Sequence, residues 1–127
     1  MARVLVVEDS DAVRMAVTDV LELAGHCVTE AANGREAVDY MRREYFELVI
    51  TDVLMPELDG VEVIKAVRQL HPSTRVIAMS GGAPNLPAGY ALKMVEMFAA
   101  DAVLYKPFLN AELEETVGRL LNTLPTS

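Results

Sequence analysis

Four apolar runs in this chain end in residues capable of polar chemistry. "VLVV" runs into Glu8 and Asp9, "LVIT" into Asp52, "RVIAM" into Ser80 followed by Gly81 and Gly82, and "AVLY" into Lys106 before Pro107. If folding gathers these ends, three carboxylates, a hydroxyl and an ammonium converge. Two carboxylates about 4 Å apart repel by roughly 4 kcal/mol at an effective dielectric of about 20, so three ionised together call for a bound cation. The donors are all oxygens, and one Cys and two His form no soft or imidazole cluster, which suits Mg²⁺ or Mn²⁺ rather than Zn²⁺. A Mg²⁺ ion that keeps several waters accepts phosphate oxygens. The chemistry indicated is phosphoryl transfer, with Asp52 as nucleophile and Ser80 and Lys106 on the phosphoryl oxygens.

The elements that must position these residues can be read from period and punctuation. "RVLVV" (3–7), "CVTEA" (27–31), "LVIT" (48–51), "RVIAMS" (75–80) and "AVLY" (102–105) read as buried strands. Between them lie helical periods. Val13, Ala16, Val17, Val20, Leu21 and Ala24 make the first, and Leu113, Val117, Leu120, Leu121 and Leu124 the last. Ser10 or Asp11 can cap the first helix, Gly25 ends it, "NG" at 33–34 opens the second, and "HPS" at 71–73 closes the third. Alternating strands and helices imply a parallel sheet with helices on both faces, a three-layer α/β domain. In such sheets the functional crevice lies beyond the carboxyl ends of the strands, where the polar residues fall.

Composition narrows the function. The chain has 127 residues, 52% of them hydrophobic and 24% charged, which fits one globular domain spanning 1–127 without an attached output domain. A net charge of −8, with 11 basic residues scattered among 19 acidic ones, argues against nucleic acid as a partner. "MARVLVVEDS" is too short and too acidic for a signal peptide, and no run approaches membrane-spanning length, so a cytoplasmic protein without a membrane partner is expected. Cys27 cannot form an internal disulfide and reads as a small buried hydrophobe in a strand. His26 and His71 flank turns and read as surface residues. Asp11 and Asp59 read as helix-start residues. A single acid at a strand end is ordinarily a helix cap or a solvated loop residue, and the weight here rests on the joint placement of five groups.

On these residues the chain resembles, along essentially its whole length, the receiver domain of two-component response regulators. "VLVVEDS" is similar to the family's first strand and acidic pair, "AANGREAVD" to its second helix start, "LVITDVLMPELDGVEVIKAVR" to its phospho-acceptor segment, and "VIAMSG" and "VLYKPF" to its last two strand ends. The resemblance implies a flavodoxin-like (βα)5 fold with strand order 2-1-3-4-5. It implies that Asp52 accepts a phosphoryl group from a sensor histidine kinase, a phosphotransfer protein or a small phosphodonor. It implies Mg²⁺ held by the side chains of Asp9 and Asp52, by the Leu54 carbonyl, and by Glu8 mostly through water. Ser80 and Lys106 would hold the phosphoryl oxygens, and the Lys106–Pro107 bond would be cis.

Such a chain would be a phosphorylation-controlled switch, catalysing only its own phosphorylation and dephosphorylation. It would act on an effector protein, or form a homodimer, through the face made by a Met-rich helix expected over 89–101, the fifth strand and the last helix. Two departures stand out. Val103 occupies the place, three residues before the lysine, where the family usually carries Tyr or Phe; the aromatic here, Tyr105, adjoins the lysine instead. "GGAPNLPAG" also suggests an extended loop after the fourth strand. Other functions fit less well. A haloacid-dehalogenase-type phosphohydrolase wants a second aspartate two residues after its nucleophile, where this chain has Leu54. A flavin carrier wants a hydroxyl-rich phosphate loop after the first strand, where "EDSDAV" puts carboxylates. A degenerate receiver acting as a constitutive protein-binding module is the remaining alternative.

Overall fold

The computed structural model describes residues 2–53, 60–81 and 100–122. These contain β1 (Arg3–Val7), α1 (Asp11–Leu23), β2 (Cys27–Ala31), α2 (Gly34–Arg43), β3 (Leu48–Asp52), α3 (Gly60–Leu70), β4 (Arg75–Ser80), β5 (Ala102–Tyr105) and a last helix, α4 (Asn110–Asn122). Leu54, Asp59, the loop beyond Gly81 and residues 89–99 of the helix expected over 89–101 lie outside the described residues. The five strands are parallel and ordered β2-β1-β3-β4-β5, the flavodoxin-like order that the resemblance implied.

Alternation along each strand divides the core into two layers. Leu5 and Val7 of β1 pack with Ala37 and Met41 of α2 and with Val63, Ile64 and Val67 of α3. Val4 and Val6 face the other way, onto Val17, Val20 and Leu21 of α1 and onto Leu113, Val117 and Leu120 of α4. β3 is buried at all five positions and β4 at all but the first, because both have neighbours in the sheet on two sides and helices above and below.

The helix ends follow local chemistry. The Ser10 hydroxyl caps α1 by accepting from the Val13 N–H at 3.4 Å. At the other end the Gly25 N–H donates to the Glu22 carbonyl and the His26 N–H to the Leu21 carbonyl. This is a Schellman closure that needs a left-handed residue, and Gly25 supplies it at φ 93°. Asn33 caps α2 by accepting from Glu36 N–H at 2.9 Å.

Several expectations are corrected. β2 and β5 are edge strands, with exposed or half-exposed positions rather than full burial. Cys27, at the start of edge strand β2, is consequently exposed and not a core hydrophobe. Ala16 and Ala24 are exposed, since the buried stripe of α1 is narrower than its apolar periodicity and Thr18 takes a buried place within it. The two histidines are half-buried joints, not free surface residues. His71 Nε2 lies 2.8 Å from the Met41 carbonyl, and its ring meets Tyr45 edge to face.

His26 Nδ1 accepts the Ala2 N–H at 3.1 Å, which requires that nitrogen to be unprotonated. Burial holds the imidazole below its ordinary value. A base with a depressed folded pKa lends stability that is present above the unfolded value, about 6.5, and is lost as pH falls through the folded value. The urea midpoint should therefore drop as pH falls from about 7 to about 5, and the drop should be shallower in His26→Gln. Parallel pH profiles for the two proteins would remove His26 from the account.

Candidate functional site

The site lies where β1, β3, β4 and β5 deliver their carboxyl ends to one edge of the sheet. Val7 pairs with Thr51, Asp52 with Met79, and Ser80 with Tyr105, so each polar residue emerges beside the next. The β3 end is further fixed by the Val53 N–H, which donates to the Met79 carbonyl at 3.1 Å, and the β5 end by the Lys106 N–H, which donates to the Ser80 carbonyl at 2.7 Å. The Lys106–Pro107 peptide is cis, as the resemblance implied.

Glu8 (1% exposed), Asp52 (5%) and Ser80 (3%) are buried at this edge, while Asp9 is exposed. Carboxylate oxygens of Glu8, Asp9 and Asp52 all lie within 4.8 Å of one another. The Lys106 ammonium donates to Glu8 Oε2 at 2.8 Å and to Asp52 Oδ2 at 3.1 Å. Glu8 Oε1 also accepts the Ser10 N–H at 3.2 Å. The structure thus brings together Glu8, Asp9, Asp52 and Lys106 by direct proximity, and sets Ser80 at the buried end of the adjacent strand. Leu54 is outside the described residues.

Electrostatics follow from the burial. Desolvation pushes the Glu8 carboxyl up from the ordinary carboxylate range, and the nearby Asp52 charge adds to this, with the Lys106 hydrogen bond only partly offsetting both. Burial pulls the Lys106 ammonium down, but its hydrogen bonds to Glu8 and Asp52 outweigh that and hold it above the ordinary lysine value. Lys106 therefore stays charged at neutral pH. One ammonium set against three carboxylates leaves the group net negative, and its donors are hard oxygens at one solvent-facing edge. That donor set fits a divalent cation such as Mg²⁺.

Beside Lys106 opens an apolar cleft of about 510 Å³, walled by Val13 and Ala16 of α1 and by Pro107, Phe108 and Leu113. Tyr105 is 36% exposed at the end of β5, while Val103 packs half-buried against the core.

A profile of the response regulator receiver domain matches residues 4–118. The chain belongs to the response regulator receiver family. This receiver is 33% identical over 122 residues to the response regulator receiver protein CpdR of Brucella abortus (strain 2308), covering 95% of this chain and 98% of CpdR. It is 39% identical over 127 residues to the sensor kinase CckA of the same strain, where the match covers 94% of this chain but 12% of CckA. Among solved structures, the chemotaxis response regulator CheY4 of Vibrio cholerae matches with a TM-score of 0.84 at 33% identity, over 94% of this receiver and 98% of that chain. The three-layer fold and its strand order are those of this family, whose members are signalling switches of two-component systems. No helix among the described residues is long and apolar enough to cross a membrane.

One residue with a place at the site was not singled out by its sequence. Arg14 of α1 donates through Nη1 to the Glu8 carbonyl at 2.7 Å. Its position three residues after Asp11 suggests an ordinary solvated helix pair, and only the pairing of β1 with β2 brings Glu30 to its other side.

Proposed function

We propose that this receiver is a phosphorylation-controlled switch that takes a phosphoryl group on Asp52 from a histidine kinase, a phosphotransfer protein or a small phosphodonor. The observation that carries the reading is the bridging of Glu8 and Asp52 by the Lys106 ammonium, with the Asp9 carboxylate alongside. Asp9 and Asp52 would hold Mg²⁺ through their side chains, Leu54 through its carbonyl, and Glu8 mostly through water. Bound there, the ion would neutralise charge on the phosphoryl oxygens.

The chain's own residues account for the rest. An Asp52 carboxylate oxygen attacks phosphorus, the bond from phosphorus to the leaving group breaks, and the leaving group departs with that electron pair, leaving an acyl phosphate. Lys106 can exchange its hydrogen bond with Asp52 for one to the new phosphoryl oxygens without crossing open solvent. Ser80, at the buried end of β4, offers a hydroxyl to another of those oxygens. The cleft gives a phosphodonor protein apolar surface beside Lys106. In this reading the chain turns over no other substrate, works in the cytoplasm, binds no nucleic acid, and passes its signal to an effector protein or a second copy of itself.

Incubation with acetyl phosphate tests the proposal by intact mass. The expected result is gain of one phosphoryl group with Mg²⁺ or Mn²⁺ present and none with chelator. No gain under either condition would favour a constitutive protein-binding module, and sustained turnover of phosphomonoesters would favour a phosphohydrolase.

A further inference from the structure

Asp9 differs from its partners at the acidic edge. Glu8 and Asp52 are buried and both hydrogen-bond to Lys106, whereas the Asp9 side chain is exposed and makes no hydrogen bond or ion pair among the described residues. The aim of its carboxylate therefore depends on the backbone that carries it, which includes the Glu8–Asp9 peptide. The Glu8 N–H is fixed from β2, where it donates to the Ala31 carbonyl at 3.1 Å. The Glu8 carbonyl, which belongs to the peptide leading into Asp9, is fixed by a side chain, the guanidinium of Arg14 at 2.7 Å.

That guanidinium is itself held on all sides. Nε donates to Glu30 Oε1 of β2 at 3.1 Å and Nη2 to Asp11 Oδ1 at 2.5 Å. The side chain is only 16% exposed. Three nitrogens thus meet three acceptors, on β2, on the β1–α1 turn and on the first turn of α1. A planar fork can satisfy all of them at once, and a lysine ammonium, a point charge on a flexible stem, cannot reproduce that geometry.

We infer that Arg14 is a positioning residue for the cation site: it locks the Glu8–Asp9 peptide so that the Asp9 carboxylate, which has no other support among the described residues, faces Glu8 and Asp52. The inference rests on the reading of the acidic edge as a Mg²⁺ site. Residues that orient metal-binding groups typically cost about 10- to 100-fold in metal affinity when removed. Arg14→Met should weaken Mg²⁺ binding by about that factor. Arg14→Lys, which retains the charge but not the fork, should recover only a minor part. Because the effect works through the metal, the phosphorylation rate from acetyl phosphate should return to within a few-fold of the parent at saturating Mg²⁺.

The test is calorimetric titration of Mg²⁺ into the parent protein, Arg14→Met, Arg14→Lys and Glu30→Gln, with a urea midpoint for each. Glu30→Gln weakens the support of Arg14 from an exposed position, so it keeps the question open to decision even if Arg14→Met fails to fold; about a 2- to 5-fold loss of affinity is expected for it. Affinities equal to the parent in the folded variants, whatever their urea midpoints, would overturn the positioning role and reduce Arg14 to a structural brace. Full recovery of affinity in Arg14→Lys would overturn the need for the fork. A parent protein that takes up no Mg²⁺ would overturn the site reading itself, and the inference with it.

Discussion

Asp52→Asn should abolish phosphoryl uptake, lowering the labelling rate from acetyl phosphate by more than about a thousandfold, as removal of a nucleophile does. The loss should come without loss of fold. Asparagine keeps the shape of the side chain and can still accept from the Lys106 ammonium, which lies 3.1 Å from Asp52 Oδ2. It also removes a negative charge that now sits close to buried Glu8. The urea midpoint of the variant should therefore equal or exceed that of the parent. Labelling at the parent rate would exclude Asp52 as the acceptor, and an unfolded variant would mean that the carboxylate has a structural role not visible in its contacts.

The second large effect is on stability. Lys106→Met removes the ammonium that bridges Glu8 and Asp52, whose side chains are 1% and 8% exposed. Leaving buried charge unpaired costs about 3–5 kcal/mol. The cost should depend on pH. The Glu8 carboxyl is already raised by burial, and losing its lysine partner raises it further. An acid with a raised folded pKa lends stability that is full below its unfolded value and is lost as pH rises through the folded one. The deficit of the variant should accordingly be small below about pH 4.3, grow as pH rises through the elevated Glu8 value, and shrink again when Mg²⁺ binds the folded state. The corresponding contribution of Lys106 in the parent, whose folded value is also raised, is complete at neutral pH and is lost only in strong alkali. Urea midpoints at acid and neutral pH, with and without Mg²⁺, check this. A deficit equal at both pH values would show that Lys106 acts through its packing and not its charge.

The sequence was most legible where physics is local. The strand ends were readable because parallel strands covered on both faces appear as unbroken apolar runs, and a carboxylate at the end of such a run is conspicuous; β1, β2, β4 and β5 begin and end where their runs do. The capping of α1 by Ser10 and its closure at Gly25 were equally local. Exposure was less legible, because an apolar run does not say which strands form the edges of the sheet, and Cys27 was misplaced for that reason. The histidines were misread because their partners, Ala2 and Met41, are distant in sequence. Arg14 carries no local signal because it lies on α1 and its partner Glu30 lies on β2. The convergence of Glu8, Asp9, Asp52 and Lys106 could be anticipated from the strand ends alone, but the bridging position of the ammonium required the side-chain geometry.

The most direct measurement is reductive trapping after phosphorylation. Borohydride converts an aspartyl phosphate into homoserine, so treating the acetyl-phosphate-labelled protein and mapping its peptides locates the acceptor. Homoserine at position 52, appearing only when Mg²⁺ was present during labelling, is the expected result. Homoserine at Asp9 or another position, or a labelled protein with no reducible acyl phosphate, would contradict it.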